Sequence, residues 1–475
     1  MPTTRGTAAE VDKAPSAHDK SRARPRLLSA ATTHAARESD LQDHFARFVG
    51  ADHARALLDA MRQPPTLTTV RVNCAVESSL DAAISRLLEV MPSLVGRVSA
   101  HPTLPDILCI PSEPGDQYDE DLLPAVVAVD RACGEALLRG ADVFVPGVRG
   151  CTASLAAGER VTVVFADPSR REEVALGTKL PHTIDAEADG YVCCGRGVAL
   201  LGRKELFPLG HHAQHIGQQR TAPCSVAGVA VRVDEPRYAA PSLSGQLPEL
   251  LFLQNLPSAV VVHALGPRPG DRVLDLCAAP GGKATHCAAL LGGRGEVVAL
   301  DRSAKRLASV SELARRLRVD DVLTCAVMDA STAAAKLPHG SFDRVLLDPP
   351  CSSLGVRPRF LISATPAELA SAADYQRRIL DAAVRLLKPG GVLTYSTCTT
   401  NPTENEMVVA HALCTYPLVL ELPHPAYVLG GPGWRGCGLS DEDCAKVQRW
   451  DPVADPSCIG FFMARFRLVA SASES

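Results

Sequence analysis

A chain of 475 residues is longer than one hydrophobic core of ordinary size organises, so two to four domains are expected. Its 46% hydrophobic content contains no apolar run of about 18 residues, which excludes a helical membrane span, and the polar opening lacks the apolar centre of a signal peptide. A net charge of -4 does not advertise a polyanion partner but leaves one open where basic residues cluster, and 16 cysteines without a Cys-x-x-Cys pair read as reduced thiols of a cytoplasmic protein, a nuclear share staying open.

Residues 1–40 are rich in Ala, Thr, Ser, Pro, Arg and Lys without apolar periodicity and are expected to be a disordered tail. Arg24-Pro25-Arg26 weakly resembles a transit peptide, but Glu10, Asp12 and Asp19 oppose that reading. From Leu41 onward Phe45, Phe48, Ala54, Leu57 and Met61 fall at helical spacings that end at Pro64-Pro65. A strand at Thr69-Val70-Arg71-Val72-Asn73 and an amphipathic run over 80–90 complete a small α/β unit spanning 41–121.

Between 122 and 235 the period shortens to β runs at 126–129, 143–145, 161–165 and 229–233, punctuated by Gly and Pro, which predicts a compact β-barrel. A short helix over 133–138 should stop at Gly140, where glycine can take the left-handed conformation. The run Leu138-Arg139-Gly140-Ala141-Asp142-Val143-Phe144-Val145-Pro146-Gly147-Val148 resembles the signature of PUA domains, small RNA-binding barrels. Arg139, Phe144, Arg170, Arg171 and Arg203 are then candidate RNA contacts, each weighed against the bland reading of a solvated side chain on a barrel. His211 and His215 stand at helical spacing but have no third or fourth ligand in view, so no metal site is expected.

From 236 to 470 apolar strands at 273–276, 296–300, 322–327, 344–347 and 391–395 alternate with helical runs such as 304–317, the pattern of a parallel sheet covered on both faces. The closing run 459–466 suits a last strand inserted at an edge.

The segment Leu274-Asp275-Leu276-Cys277-Ala278-Ala279-Pro280-Gly281-Gly282-Lys283 is neither a Walker phosphate loop nor a dinucleotide Gly-x-Gly-x-x-Gly. It is a glycine turn at a strand's carboxyl end, where a parallel sheet binds ligands. Asp301, at the end of the next strand, stands where a ribose diol would be hydrogen-bonded, and Asp329, after the strand beyond, could hold an adenine amino group. Each aspartate alone could equally be a helix cap or turn former. Together at three successive strand ends they favour an adenosine-type cofactor.

Cys351 follows Asp348-Pro349-Pro350, and Cys398 sits in Tyr395-Ser396-Thr397-Cys398-Thr399. Either alone could be an ordinary small buried residue. Two cysteines at the carboxyl ends of adjacent strands, beside a cofactor pocket and Asp348, suggest alkyl transfer through a thiol. Cytosine C5 is a poor nucleophile, so a thiolate must first add to C6 to make an enamine whose C5 takes a methyl group, and a free thiol of pKa roughly 8.5 needs help to ionise. Amino-group methyltransferases carry an aromatic residue after Asp-Pro-Pro, and Cys351 here argues against that chemistry.

From about Leu41 to Phe466 the chain resembles the NSUN (Fmu/Sun) family of S-adenosylmethionine-dependent RNA cytosine-5 methyltransferases, in its form with an inserted PUA domain. The matching segments are 274–283, 348–352, 395–399, Phe252-Leu253-Gln254-Asn255 and Asn405-Glu406. The resemblance implies a Rossmann-like α/β methyltransferase core with a small α/β N-terminal unit and an inserted PUA β-barrel. It implies that Cys398 is the nucleophile and Cys351 assists release, that Lys283 and Asp348 contact the flipped cytosine, and that Cys277, Ala278, Ala279, Pro280, Gly281, Gly282, Lys283, Asp301, Asp329 and Asp348 line the cofactor. It further implies an RNA substrate, chiefly the single-stranded CCA acceptor end of tRNA and secondarily similar mRNA loops, bound by a monomer. One departure is Ser353, where the family usually has Gly, which puts the conformation of the Cys351 loop in question. The alternative is a non-catalytic RNA-binding scaffold built on a degenerate methylase fold. Retention of Cys351, Cys398, Lys283 and Asp348 together argues against it.

Overall fold

The structure, a computed structural model, describes residues 30–112, 123–167, 170–186, 188–208, 228–243, 245–362 and 364–469, with side chains from residue 37. His211 and His215 lie outside the described residues. Among the described residues the strands form three sheets.

The largest sheet carries the cofactor-type strands. Arg272–Asp275, Glu296–Asp301, Leu323–Val327, Phe342–Leu347 and Leu387–Thr397 pair in parallel, in the spatial order 323–327, 296–301, 272–275, 342–347, 387–397. The chain runs outward in one direction from Arg272–Asp275 and then returns to start on its other side, so the strand order switches between Arg272–Asp275 and Phe342–Leu347. The carboxyl ends at such a switch are where open α/β sheets bind ligands. Phe461–Leu468 joins antiparallel to Leu387–Thr397, but it is not the edge strand that the sequence suggested. It also pairs with Leu418–Leu420 and Gln448–Trp450, because its buried run Phe461, Phe462, Met463, Ala464 suits the inside of a sheet. Two apolar clusters cover the faces, one around the helix Leu256–Leu265 and one around Pro366–Leu386.

The second sheet has four strands in the order Leu251–Leu253, Leu67–Val72, Ile107–Pro111, Ser99–Ala100, all antiparallel. Leu251–Leu253 returns to this sheet only after the chain has passed through the third one. Buried side chains dock the four-stranded sheet on the large one. Arg71 donates to the Gly282 carbonyl at 2.6 Å, to Gln254 Oε1 at 3.0 Å and to Thr285 at 3.1 Å, and Asn73 donates to the Leu317 carbonyl at 2.6 Å.

The helical pattern before this sheet is two helices rather than one. Ala30–Val49 and Ala51–Met61 are separated by Gly50 at φ 81°, a left-handed position that breaks the ladder. The first helix begins at Ala30, which corrects the expectation of an unstructured tail to residue 40. Leu41, Phe45, Leu57, Leu58 and Met61 pack not within a separate unit but on Leu354, Ile362 and Leu369, just downstream of Cys351.

The third sheet has seven strands in the order Val143–Phe144, Val229–Pro236, Tyr191–Ala199, Arg160–Ala166, Val126–Val129, Val148–Thr152, Thr178–Leu180. The ladder does not close between its two end strands among the described residues, so the expected barrel is an open one. The helix Arg131–Leu137 is capped by Asp130, and Gly140 has φ 86°, as the sequence indicated. This module touches the catalytic half through Phe165, whose ring centroid lies 4.3 Å from that of Phe360, and through Glu135, which accepts from the Phe360 backbone N–H at 3.0 Å.

Candidate active site

The carboxyl ends of the parallel strands deliver the candidate residues to one place. After Phe342–Leu347 comes Asp348, and after Leu387–Thr397 comes Cys398. The Cys351 and Cys398 sulfurs are 3.5 Å apart. Lys283, in the first turn of the helix Gly282–Leu291, puts its Nζ 2.6 Å from Asp348 Oδ2, and Ser396 donates to Asp348 Oδ1 at 2.6 Å. Four residues separated by up to 115 positions in the chain thus share one cluster.

The electrostatics separate the two thiols. Cys398 is held below an ordinary thiol first by the hydrogen bond from Cys351, with help from Ser353 and Lys283 against burial and the Asp348 charge. Cys351 is raised well above an ordinary thiol by that same bond, by burial and by the nearby Glu404 carboxylate. Of the two thiols, Cys398 is therefore the easier to ionise and Cys351 the harder. Burial opposes the charge on Lys283, but Asp348 overrides it and raises the ammonium above its usual value.

A network that the sequence did not reveal fixes the two loops. Glu404, fully buried, accepts from the Ser352 backbone N–H at 2.9 Å, from the Ser352 hydroxyl at 2.5 Å and from Gln376 at 2.9 Å. Gln376 also donates to the Pro350 carbonyl at 3.1 Å, and the Tyr395 hydroxyl donates to the Glu404 carbonyl at 2.5 Å. Asn405, whose neighbourhood the sequence did mark, accepts from Thr397 at 2.5 Å and donates to the Thr399 carbonyl at 2.9 Å. Nothing in the spacing of Gln376 or Glu404 announces these bonds, since both sit in ordinary helical contexts.

The adenosine-type features line neighbouring strand ends. Cys277, Ala278, Ala279, Pro280, Gly281 and Gly282 form the turn after Arg272–Asp275, with the Ala278 N–H on the Leu300 carbonyl at 2.8 Å. Gly281 has φ 108°, and a Cβ there would meet Val310 and Leu313 at 3.2–3.3 Å, so glycine is required for both turn and packing. Asp301 is 5% exposed, accepts from the Ser303 N–H at 2.8 Å and lies 3.3 Å from Arg306, which braces the turn through the Ala279 carbonyl at 2.9 Å. Asp329 caps the turn Ala330–Ala335, accepting from the Ser331 N–H at 2.9 Å, and receives the Tyr375 hydroxyl at 3.4 Å. A close-approaching glycine backbone and two carboxylates on three adjacent parallel strands form a donor and acceptor set that fits an adenosine with its ribose. Asp275 beneath the turn is pushed up to about 7 by burial and the neighbouring carboxylates.

The five residues expected to contact RNA differ in what already engages them. Phe144 is 50% exposed and Arg139 is exposed at the end of its helix. Arg170 pairs with Asp167 at 3.8 Å, and Arg171 stacks on Tyr191 at 3.9 Å while donating to the Asp189 carbonyl. Arg203 is a correction. Its guanidinium donates to the carbonyls of Cys151, Gly177 and Thr178 at 2.6–3.1 Å, so it clamps two strand ends and does not reach out for a phosphate.

Among the described residues one group of potential metal ligands comes together, Asp106, His263 and His286. Asp106 accepts from His263 at 2.8 Å and from His286 at 2.6 Å, so the carboxylate is bridged by hydrogen bonds, and Arg71 lies close enough to raise the cost of a further cation. It is a buried joint between the four-stranded sheet and two helices of the large domain.

Comparison with known proteins bears directly on this site. The profile of the family described as 16S rRNA methyltransferase RsmB/F matches residues 262–426, and that of the PUA domain matches 125–188. The chain is 37% identical to the mouse tRNA (cytosine(72)-C(5))-methyltransferase NSUN6, over 86% of this chain and 89% of that protein. The chain belongs to the NSUN family of RNA cytosine-C5 methyltransferases. The human NSUN6 is 38% identical over 84% of this chain and 83% of its own length. The crystal structure of NSun6 from Pyrococcus horikoshii with SFG superposes with a TM-score of 0.72 at 30% identity, covering 91% of this chain and 98% of that one. As an NSUN-family enzyme the chain is an S-adenosylmethionine-dependent RNA cytosine-C5 methyltransferase with a PUA domain. In the described residues no helix is long and apolar enough to cross a membrane.

Proposed function

We propose that this chain methylates C5 of a cytosine near the 3′ acceptor end of tRNA, with Cys398 as nucleophile and Cys351 assisting release. The 3.5 Å approach of the two sulfurs beside the Lys283–Asp348 pair carries the reading. S-adenosylmethionine supplies the electrophilic methyl group. The Cys398 sulfur forms a bond to C6 of a flipped cytosine, and Lys283 and Asp348 meet the ring polar atoms on which charge builds. After methylation at C5, the C5 proton passes to a base in the site, the S–C6 bond breaks and the Cys398 thiolate returns. Cys351, 3.5 Å from the Cys398 sulfur, is placed to support this elimination. Cys277 to Gly282, Asp301 and Asp329 hold the cofactor. A single chain contributes every one of these groups, so a monomer suffices.

We divide the chain into an N-terminal α/β segment over 41–121 whose helices dock on the methylase, an RNA-reading PUA module over 122–235 and the methylase over 236–470. The tRNA substrate is favoured by the names of the NSUN6 relatives. The single-stranded CCA end, and mRNA loops of like sequence, suit a module that reads unstacked bases. A degenerate scaffold has no residue in its favour, since the four catalytic candidates lie within bonding reach. The test is bisulfite sequencing of tRNA incubated with the protein and S-adenosylmethionine. One acceptor-end cytosine should become resistant with wild type and none with Cys398→Ala. Resistance produced by Cys398→Ala would overturn the nucleophile, and resistance confined to another RNA class would overturn the substrate.

A further inference from the structure

Ser353 is a place in the candidate catalytic loops where the chain departs from the family pattern, and it is also a place where the backbone is strained. Its φ is 56°, a left-handed conformation that an L side chain enters at a cost and glycine does not. Two other described non-glycine residues share a positive φ, Leu247 and Arg318, and neither belongs to the catalytic loops. Strain kept at such a position points to what the side chain does there. The Cys398 thiol donates to the Ser353 Oγ at 3.7 Å, the Ser353 hydroxyl donates to the Cys351 carbonyl at 3.5 Å, and the Cys351 sulfur lies 4.0 Å from that oxygen.

We propose that Ser353 is a positioning residue: once the Cys398 thiol gives up its proton, the Ser353 hydroxyl 3.7 Å away turns from the Cys351 carbonyl to donate to the sulfur and orients it toward the cytosine, a contact that glycine cannot make. Oxygen donors to an anionic sulfur favour the charged form. The direction of the Cys398 shift agrees, with Ser353 among the groups that lower it. The other groups facing the thiols are Lys283 and Asp348 on the Cys398 side and Glu404 on the Cys351 side. Lys283 acts with Ser353, whereas Asp348 and Glu404 act against ionisation of the thiol each one faces. This role rests on the assignment of Cys398 as nucleophile.

The two effects of a glycine substitution run in opposite directions. Ser353→Gly relieves the backbone and removes the donor, so the protein should melt no lower than wild type while Cys398 becomes less reactive. Ser353→Ala keeps the strain and also removes the donor. The experiment measures iodoacetamide alkylation of the full chain against pH, with peptide mass spectrometry reporting Cys398 and Cys351 separately. In both variants the Cys398 inflection should move to higher pH and its rate at pH 7 should fall at least about tenfold, the lower end of the range of one hydrogen bond to a charged group. A Cys398 profile that superposes on wild type in both variants overturns the proposal, as does a shift seen at Cys351 alone. An adduct with 5-fluorocytidine RNA that maps to Cys351 overturns the nucleophile assignment instead, and the alkylation profile still decides whether Ser353 sets the Cys398 thiol.

Discussion

At the scale of single residues the account depends on which polar groups are already satisfied. Asp301 has a backbone N–H and Arg306 on it and still presents a carboxylate at the strand end, so it is a credible ribose acceptor. Asp301→Ala removes a charged acceptor whose bond is typically worth about 1.5 to 3 kcal/mol, so S-adenosylmethionine affinity measured by calorimetry should fall at least about tenfold. Unchanged affinity would mean that the cofactor lies elsewhere. Arg203 shows the opposite case. Because its donors hold three backbone carbonyls, Arg203→Ala should lower stability by about 2 to 3 kcal/mol in denaturant unfolding, with no effect on RNA binding beyond that loss. A stable Arg203→Ala protein with weakened RNA binding would restore it as an RNA contact. From sequence an arginine on a barrel could not be told from one that clamps it, since the difference is where three distant carbonyls end up.

At the scale of elements, the Asp106–His263–His286 joint ties a strand edge to two helices. Burial opposes the charge on Asp106, yet the two imidazoles hold it well below the usual carboxylate range, while burial pulls His286 down to about 4. An unfolded histidine titrates near 6.5, so the unfolded chain takes a proton that the folded one resists. Stability from this histidine is therefore complete above about pH 6.5 and lost as pH falls toward 4. Unfolding midpoints measured at pH 7, 5.5 and 4 should drop in that window, and Asp106→Ala should cost about 3 kcal/mol or more at pH 7 by leaving two buried imidazoles without an acceptor. A flat profile with a mild Asp106→Ala would remove the joint from the account. The elements of the parallel sheet were legible because continuous apolar strands and glycine turns are local signals. The strand Tyr191–Ala199 was not, because Gly195, Arg196 and Gly197 interrupt its pattern and only the neighbouring strands hold it in the sheet. The true position of Phe461–Leu468 between two strands is a long-range pairing that no local period encodes.

At the scale of the molecule, the candidate catalytic residues cluster at the strand ends of the parallel sheet, and the PUA module touches that domain at Phe360 through Phe165 and Glu135. The cysteine pair, Lys283, Asp348 and the cofactor turn were legible from sequence, because each sits at a strand end that the apolar pattern marks. The 3.5 Å approach of the thiols, and the Glu404 network behind them, depend on how distant segments meet. If the PUA module selects RNA, the Arg139→Ala, Phe144→Ala double variant should bind a CCA-ended tRNA more weakly, with a salt slope lower by about one for the lost phosphate contact, while S-adenosylmethionine binding persists. Full RNA affinity in that variant would place the reader on another face.

The most direct test of the central claim is covalent trapping on RNA in the presence of S-adenosylmethionine. Release requires elimination of the Cys398 sulfur from C6, so Cys351→Ala should accumulate a protein–RNA adduct that survives a denaturing gel and maps to Cys398, and Cys398→Ala should form none. An adduct in Cys398→Ala, with none in Cys351→Ala, would contradict the account and exchange the roles of the two thiols.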